Sequence, residues 1–348
     1  MGLHHCGVQT IKARFQMQSK RKERVMSNCV TYYLNFRSPI HLGRRGIGLE
    51  ETAISIPADT LFSAICQTWR TFYGEDNLTD FLDQYETGEP FMLTSAFPFA
   101  PDIRFFPKPL IDLKVNADDD RKKIKRVRYL SENRFRQVVN GEILFDPDTL
   151  VDNGQLWIHD ADKCPPTVWK TDTRPRVTLD RQSSASEIWH LKAVKFGKDC
   201  GLWFDAKFEA EEIQTHIETI LRVLGDTGIG GERSAGYGLF DFHSQPAEPA
   251  AEQEASRFVT LSPICPRDAD QLNILIQGDD VSYTLEERSG WIGSAEASSQ
   301  RRQQVWMFAE GSVLNGNGAQ VGRLIDLKPE ACPHPVWRYA YAWPIKYK

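Results

Sequence analysis

Six of the 24 glycines in this 348-residue chain fall between Gly225 and Asp241, in the run GDTGIGGERSAGYGLFD. Glycine loses more conformational freedom on folding than any other residue, so a run this dense belongs where the backbone needs positive φ or must lie close to a ligand. Phosphate is the obvious candidate, yet two phosphate motifs fail here. The dinucleotide fingerprint needs a third glycine where Arg233 stands, and a P-loop begun at Gly231 reaches Gly236 and then meets Tyr237 and Gly238 instead of Lys and Ser/Thr. The flanks exclude a Rossmann start as well. Apolar residues at 213, 217, 220, 221 and 224 predict an amphipathic helix before the loop, and Leu239 to Phe242 a strand after it. Anion binding then rests on a nest of loop amides helped by Arg233. The alternative is a glycine-rich helix cap and turn. A partial match of residues 236–242 to the RRM aromatic signature breaks at Ala235, Leu239 and Phe240.

The length suggests two domains. A hydrophobic content of 41% with 26% charged residues is ordinary for a globular chain. A net charge of -5 excludes a protein that coats nucleic acid indiscriminately but leaves room for a local RNA path. Seven cysteines with no C-x-x-C and no paired His spacing indicate neither a disulfide framework nor a zinc site, and point to a reducing cytoplasm. No metal or cofactor is expected, and no stretch is long enough to span a membrane. Residues 1–25 are basic without an apolar block and read as a disordered extension, or else a basic RNA-binding arm, ahead of Met26.

From residue 26 the chain reads as strand (Cys29 to Phe36), helix (Asp59, as N-cap, to Gly74), a strand pair from Phe91, a helix capped by Ser131, a long hairpin, a strand (Leu202 to Phe208), and the helix that feeds the glycine loop. That is a β-α-β-β-α-β order with insertions, the ferredoxin-like plan, over 26–243. Residues 244–256 lack aromatic and aliphatic anchors and read as a linker to a smaller domain, 257–348. Basic residues concentrate in four places. His41, Arg44 and Arg45 lie in a glycine-containing loop, and prolines on both sides hold Lys108 extended and forbid a central strand there. Eight Lys/Arg stand against one acid between Arg121 and Arg136, as an RNA contact or a solvated helix face. Arg176 and Arg181 sit on the rim of the hairpin. Trp291, Trp306, Trp337 and Trp343 read as core or interface anchors rather than stacking platforms.

Seven motifs occur in one order: Asp59 to Ala64 (DTLFSA), Leu93 to Phe99 (LTSAFPF), Phe106 to Pro109 (FPKP), Val139 to Glu142 (VNGE), the loop Gly228 to Gly238, Ser289-Gly290 and Phe308 to Ser312 (FAEGS). Together they resemble the fourth subunit of the type III-A (Csm) CRISPR-Cas effector complex, a member of the RAMP superfamily. The likeness runs from about residue 29 to the C-terminus, with Ala58 and Glu232 as departures from the family pattern. It implies an α+β chain of two ferredoxin-like, RRM-like domains and a non-catalytic subunit that holds the crRNA 5′ handle. Such a subunit joins the large polymerase-nuclease subunit to the backbone filament. The residues implied in RNA binding are His41, Arg44, Arg45, Lys108, Arg176, Arg181, Gly228, Gly230, Gly231, Arg233, Ser234 and Tyr237. By family analogy the hairpin near Arg176 and Arg181 is a thumb reaching toward the guide and its target RNA.

The rival reading is a metal-independent RAMP endoribonuclease that processes crRNA with His41 as general base beside Arg44 or Lys108. Such chemistry needs a base, an acid and a cation within hydrogen-bond reach of the ribose. No second histidine shares the loop.

Overall fold

The computed structural model describes residues 28–43, 50–115, 118–142, 144–179, 186–247 and 255–347. The N-terminal extension 1–25, Arg44, Arg45, Arg181 and most of the expected linker lie outside the described residues.

The first strand, β1 (Asn28–Phe36), is followed by helices α1 (Ala58–Tyr73) and α2 (Glu75–Asp83). Strands β2 (Phe91–Leu93), β3 (Phe97–Ala100) and β4 (Ile103–Pro107) come next. An insertion then holds α3 (Asp118–Arg126), β5 (Tyr129–Ser131), α4 (Glu132–Val139), β6 (Leu150–Val151) and β7 (Leu156–Trp157), followed by the hairpin β8 (Trp169–Leu179) and β9 (Ser186–Phe196). The unit closes with β10 (Gly201–Phe208), α5 (Glu211–Thr227) and β11 (Phe240–Pro246). One sheet runs in the order β11-β1-β10-β3-β4-β5-β7-β6, with β2 also on β10. Its first four strands, counted along the chain with β2 and β3 as one interrupted strand, stand in the antiparallel order 4-1-3-2.

Helices α1 and α5 bury the stripes that their periodicity predicts: Leu61, Phe62, Ile65 and Trp69 on one, Ile213, Ile217, Ile220, Leu221 and Leu224 on the other. They meet the aromatic face of the sheet, where Tyr32 stacks on Phe204 at 5.1 Å and on the helix side donates from its hydroxyl to Glu218. On the other face α4 stacks Phe135 on Phe106 at 4.8 Å.

Three local expectations change. The FPKP prolines do not exclude a central strand: β4 lies between β3 and β5 and ends at Pro107, so the ladder loses no donor within it. The expected linker begins later, because Ser244, Gln245 and Pro246 extend β11 against β1; β11 is an edge, where proline is tolerated. Asp59 is not the N-cap, a position that Pro57 occupies without a side-chain bond.

The carboxylate of Asp59 instead crosses to the C-terminal half, which contains β12 (Arg257–Thr260), α6 (Ala269–Ile276), β13 (Leu285–Arg288), β14 (Val305–Phe308), β15 (Val313–Asn315), β16 (Gly322–Asp326), β17 (Trp337–Tyr341) and β18 (Pro344–Tyr347). There Arg288 donates from Nη2 to Asp59 Oδ1 at 2.5 Å and from Nε to Oδ2 at 3.1 Å, and Arg338 donates from Nη1 to Oδ2. Burial pushes the Asp59 carboxyl up, but Arg288 and Arg338 outweigh it and hold it below the usual carboxylate range.

This half differs from a second β-α-β-β-α-β unit. Its strands form three small sheets, β15-β12-β18, β13-β14 and β16-β17, with one α-helix among the described residues. Part of its apolar surface is committed elsewhere. Tyr339 packs on Phe62 at 5.2 Å and accepts from the Leu93 amide at 3.1 Å, and Val259, Leu261 and Tyr341 share the core of the first half.

Removing Asp59 takes the shared carboxylate from two buried guanidinium groups, leaving Arg338 on Ser289 O and Arg288 on Thr60 and Glu286. Asp59→Ala is expected to lower unfolding free energy by about 3–5 kcal/mol in urea titrations; a loss under about 1 kcal/mol would mean that the pair is solvated. A depressed carboxyl contributes stability that is full above its unfolded value of about 3.9 and lost as pH falls through the lower folded value. The gap between wild type and Asp59→Asn should therefore narrow below about pH 4.

Candidate nucleic-acid interface

The glycine loop is fixed by the protein itself. Gly228 ends α5 at φ 83° and donates to Leu224 O at 2.7 Å, while Arg37 reaches Gly225 O and Asp226 across the same helix end, where a cation complements the dipole. One other segment, residues 39–41, clamps the loop beyond Gly228 and is itself held by the hairpin. Gly231 N donates to His41 O at 2.9 Å, Gly238 N to Pro39 O at 2.8 Å and Ile229 N to Gly238 O at 3.0 Å, and Ile40 pairs with Val194 of the hairpin.

Close approach explains the glycines. A Cβ on Gly230 would stand 2.4 Å from His41 O, one on Gly228 2.5 Å from Tyr237 O, and one on Gly238 2.0 Å from Ile229 O. Gly231 would meet the His41 ring at 2.8 Å. The density of glycine thus answers to neighbouring protein backbone and the imidazole, and the ligand-approach argument for Gly228, Gly230 and Gly231 is corrected. Glu232 adopts the left-handed conformation (φ 58°, ψ 24°) and opens a short turn, Arg233–Ala235. Among the described residues the amides of Glu232, Arg233 and Ser234 make no hydrogen bond, and the Arg233 and Ser234 side chains are exposed. A left-handed residue followed by a helical one points successive amides to one side, the geometry of an anion nest.

The other expected contacts scatter. His41 is 3% exposed; its Nδ1 lies 2.7 Å from Lys192 O, and since a carbonyl only accepts, Nδ1 carries the proton and donates. Tyr237 is buried against Leu191 and Ala193 at the base of the hairpin, with the Arg176 guanidinium 6.0 Å from its ring centre. It is therefore a hairpin anchor and not an open ring. Lys108 donates to Ile124 O at 2.9 Å, and burial lowers its pKa, so this ammonium holds the end of α3. The basic run from Arg121 also divides. Arg134 binds Ile158 O and Asp160, and Arg136 joins Arg104 on Glu132.

A cleft of about 1960 Å³ begins at the glycine loop, follows α1 past Ser63 and Gln67, and ends on the C-terminal half at Trp291, Arg301 and Arg302. His41, Gly228, Gly230, Gly231 and Arg233 line it. Three of the four tryptophans are not core residues: Trp291 is 50% exposed, Trp306 60% and Trp337 38%, and all three face this cleft, whereas Trp343 packs against the main core. Spacing alone gives no sign of that; the only sequence signal is the pairing of Arg301 and Arg302 with a nearby Gly290-Trp291 turn.

A profile described as RAMP superfamily matches residues 33–241, well over half of the chain. The chain belongs to the RAMP superfamily. A second profile, the CRISPR Csm4 C-terminal domain, matches residues 253–347, and together the two make this RAMP protein a Csm4-type subunit of the type III-A Csm complex. Relatives described as CRISPR system Cms protein Csm4 include one from Thermococcus onnurineus, 25% identical over 301 residues that cover 83% of this chain and 90% of that one. One from Streptococcus thermophilus is 25% identical over 308 residues, 84% of this chain and 91% of that protein. In fold, the RAMP chain is similar to a chain of a Csm3-Csm4 subcomplex of the type III-A CRISPR-Cas interference complex, at a TM-score of 0.64 and 14% identity over 92% and 99% of the two chains. It is also similar to a chain of a Csm1-Csm4 cassette in complex with cA4, at 0.57 and 19% over 92% and 98%.

Because Gly238 sits at φ 74° with Ile229 O in the path of a Cβ, Gly238→Ala should cost at least about 2 kcal/mol in denaturant unfolding. Gly236, at φ 80° with open space around its Cβ position, should lose no more than about 1–2 kcal/mol as alanine.

Proposed function

We propose that this RAMP protein is a non-catalytic RNA-binding subunit that anchors the crRNA 5′ handle at the Arg233 loop and along the adjoining cleft. In that place it joins the large polymerase-nuclease subunit to the backbone subunits, with target RNA nearby, and its first sheet acts as a ferredoxin-like platform for the loop. The observation that carries this reading is Arg233: it projects from a loop held rigid at both ends, is exposed, and has no acidic partner among the described residues. A single RNA strand presents phosphates and 2′-hydroxyls, which suit three amides, a guanidinium and the Ser234 hydroxyl. The comparison with complexes named for Csm1, Csm3 and Csm4 supports the partners.

The burial of His41 favours a binder over a nuclease. A general base must reach the ribose hydroxyl, whereas this imidazole lies beneath Gly231 with one nitrogen on Lys192 O. Labelled repeat RNA should stay full length after incubation with the purified protein; cleavage that disappears in His41→Gln would restore the nuclease.

Arg233→Ala should weaken binding of a handle oligonucleotide by about 1–3 kcal/mol, the worth of a hydrogen bond to a charged group. The dependence of log K on log salt should flatten by about 0.7, one phosphate on a single strand. Unchanged affinity and slope would assign the loop to structure alone.

A further inference from the structure

The far end of the cleft holds an arrangement that the loop does not need. Gly290 to Ile292 fold back on Gln300 to Arg302: Arg302 N donates to Gly290 O at 3.0 Å, Ile292 N to Gln300 O at 3.0 Å, and Trp291 bridges Arg301. Arg302 also donates from Nη2 to Trp291 O at 3.2 Å, which fixes the tryptophan backbone from inside. The Arg301 guanidinium lies 4.8 Å from the centre of the Trp291 ring, and yet half of that residue remains open to the cleft. The cation contact holds the ring in place, but the half of the residue left in solvent contributes no burial to the fold.

Two properties of the cleft select its occupant. Its volume of about 1960 Å³ exceeds the roughly 300–1,000 Å³ of small-molecule sites, so it suits a segment of a polymer. Its charges nearly balance, since seven carboxylates, Glu286 and Glu287 among them, line it with six arginines. A polymer held there must be gripped by something besides its phosphates. Nucleobases stack on aromatic rings whatever the sequence, and an arginine on the same ring adds to the attraction.

We infer that the Trp291–Arg301 pair is a stacking platform for one base of single-stranded RNA whose backbone enters the cleft at Arg233. The inference rests on the handle-binding reading and deepens it by adding a second, charge-independent contact supplied by the C-terminal half. Because Trp291 projects from a braced turn, its removal leaves the fold in place, which a thermal melt checks.

The experiment uses the full chain and a fluorescein-labelled single-stranded RNA of repeat sequence, together with a set of the same RNA carrying one abasic site at each position. Trp291→Ala should bind the intact RNA about tenfold or more weakly, with the salt slope of the wild type. Trp291→Phe, which keeps a ring, should recover most of the loss. One abasic position should weaken the wild type and leave Trp291→Ala unaffected, identifying the stacked base. Wild-type affinity in Trp291→Ala, or an equal loss against every abasic probe, overturns the platform while an Arg233 effect leaves the handle reading standing. If Trp291→Ala instead loses the large subunit and binds RNA as before, the ring is a protein contact and the platform falls. If the unaltered protein does not bind the RNA, both readings fall.

Discussion

The meeting of Asp59 with Arg288 and Arg338 determines how the two halves of this protein are disposed. Three charges are taken out of water at the start of α1, and an isolated ion in such a place costs several kcal/mol. The arrangement is tolerable because one carboxylate accepts from two guanidinium groups at once. It is also demanding, since Arg302 stands close by and burial, reinforced by Arg338, lowers its pKa to about 10. Apolar packing between the halves, such as Phe62 on Tyr339, would permit small slips; hydrogen bonds in this cluster would not. The cleft lies beside that joint, and Arg70 on Glu296 and Gln67 on Gly293 O tie its two walls together as well.

The glycine loop has two kinds of residue. Those that must be glycine face inward, toward His41 O, Tyr237 O and Ile229 O, and those that face outward are Arg233 and Ser234. The inward set makes the outward set rigid. A loop whose amides were all free would lose more entropy on closing over a ligand than one already clamped at Pro39 and His41.

Legibility in the sequence follows the range of the interactions. The stripes of α1 and α5, the stop at Gly74, the hairpin and the sequence of strands and helices in the first half are readable because period and turn chemistry act over a few residues. Asp59 reads as a cap, wrongly, because its partners lie 229 and 279 positions away. His41 and Tyr237 resemble exposed site residues because burial by a distant segment leaves no local trace, and Lys108 does so because its acceptor is a backbone carbonyl, Ile124 O. The C-terminal half is least readable. Its short strands carry aromatic residues that serve the first core at 339 and 341 but face solvent at 291 and 306, a division that composition does not encode.

The position of β1 has a consequence for synthesis. It is the first described strand, yet its neighbours are β10 and β11, which end at residues 208 and 246. At about 5–20 residues per second, roughly 10–40 seconds separate the emergence of β1 from that of the strands that cover its two edges. During that interval an aromatic, β-prone segment has no native partner on either side, and every clamp on the glycine loop awaits the same event. The nascent chain of this protein thus carries an unpaired strand until β10 and β11 are made, and its glycine loop takes its clamped form only after the chain has passed residue 238.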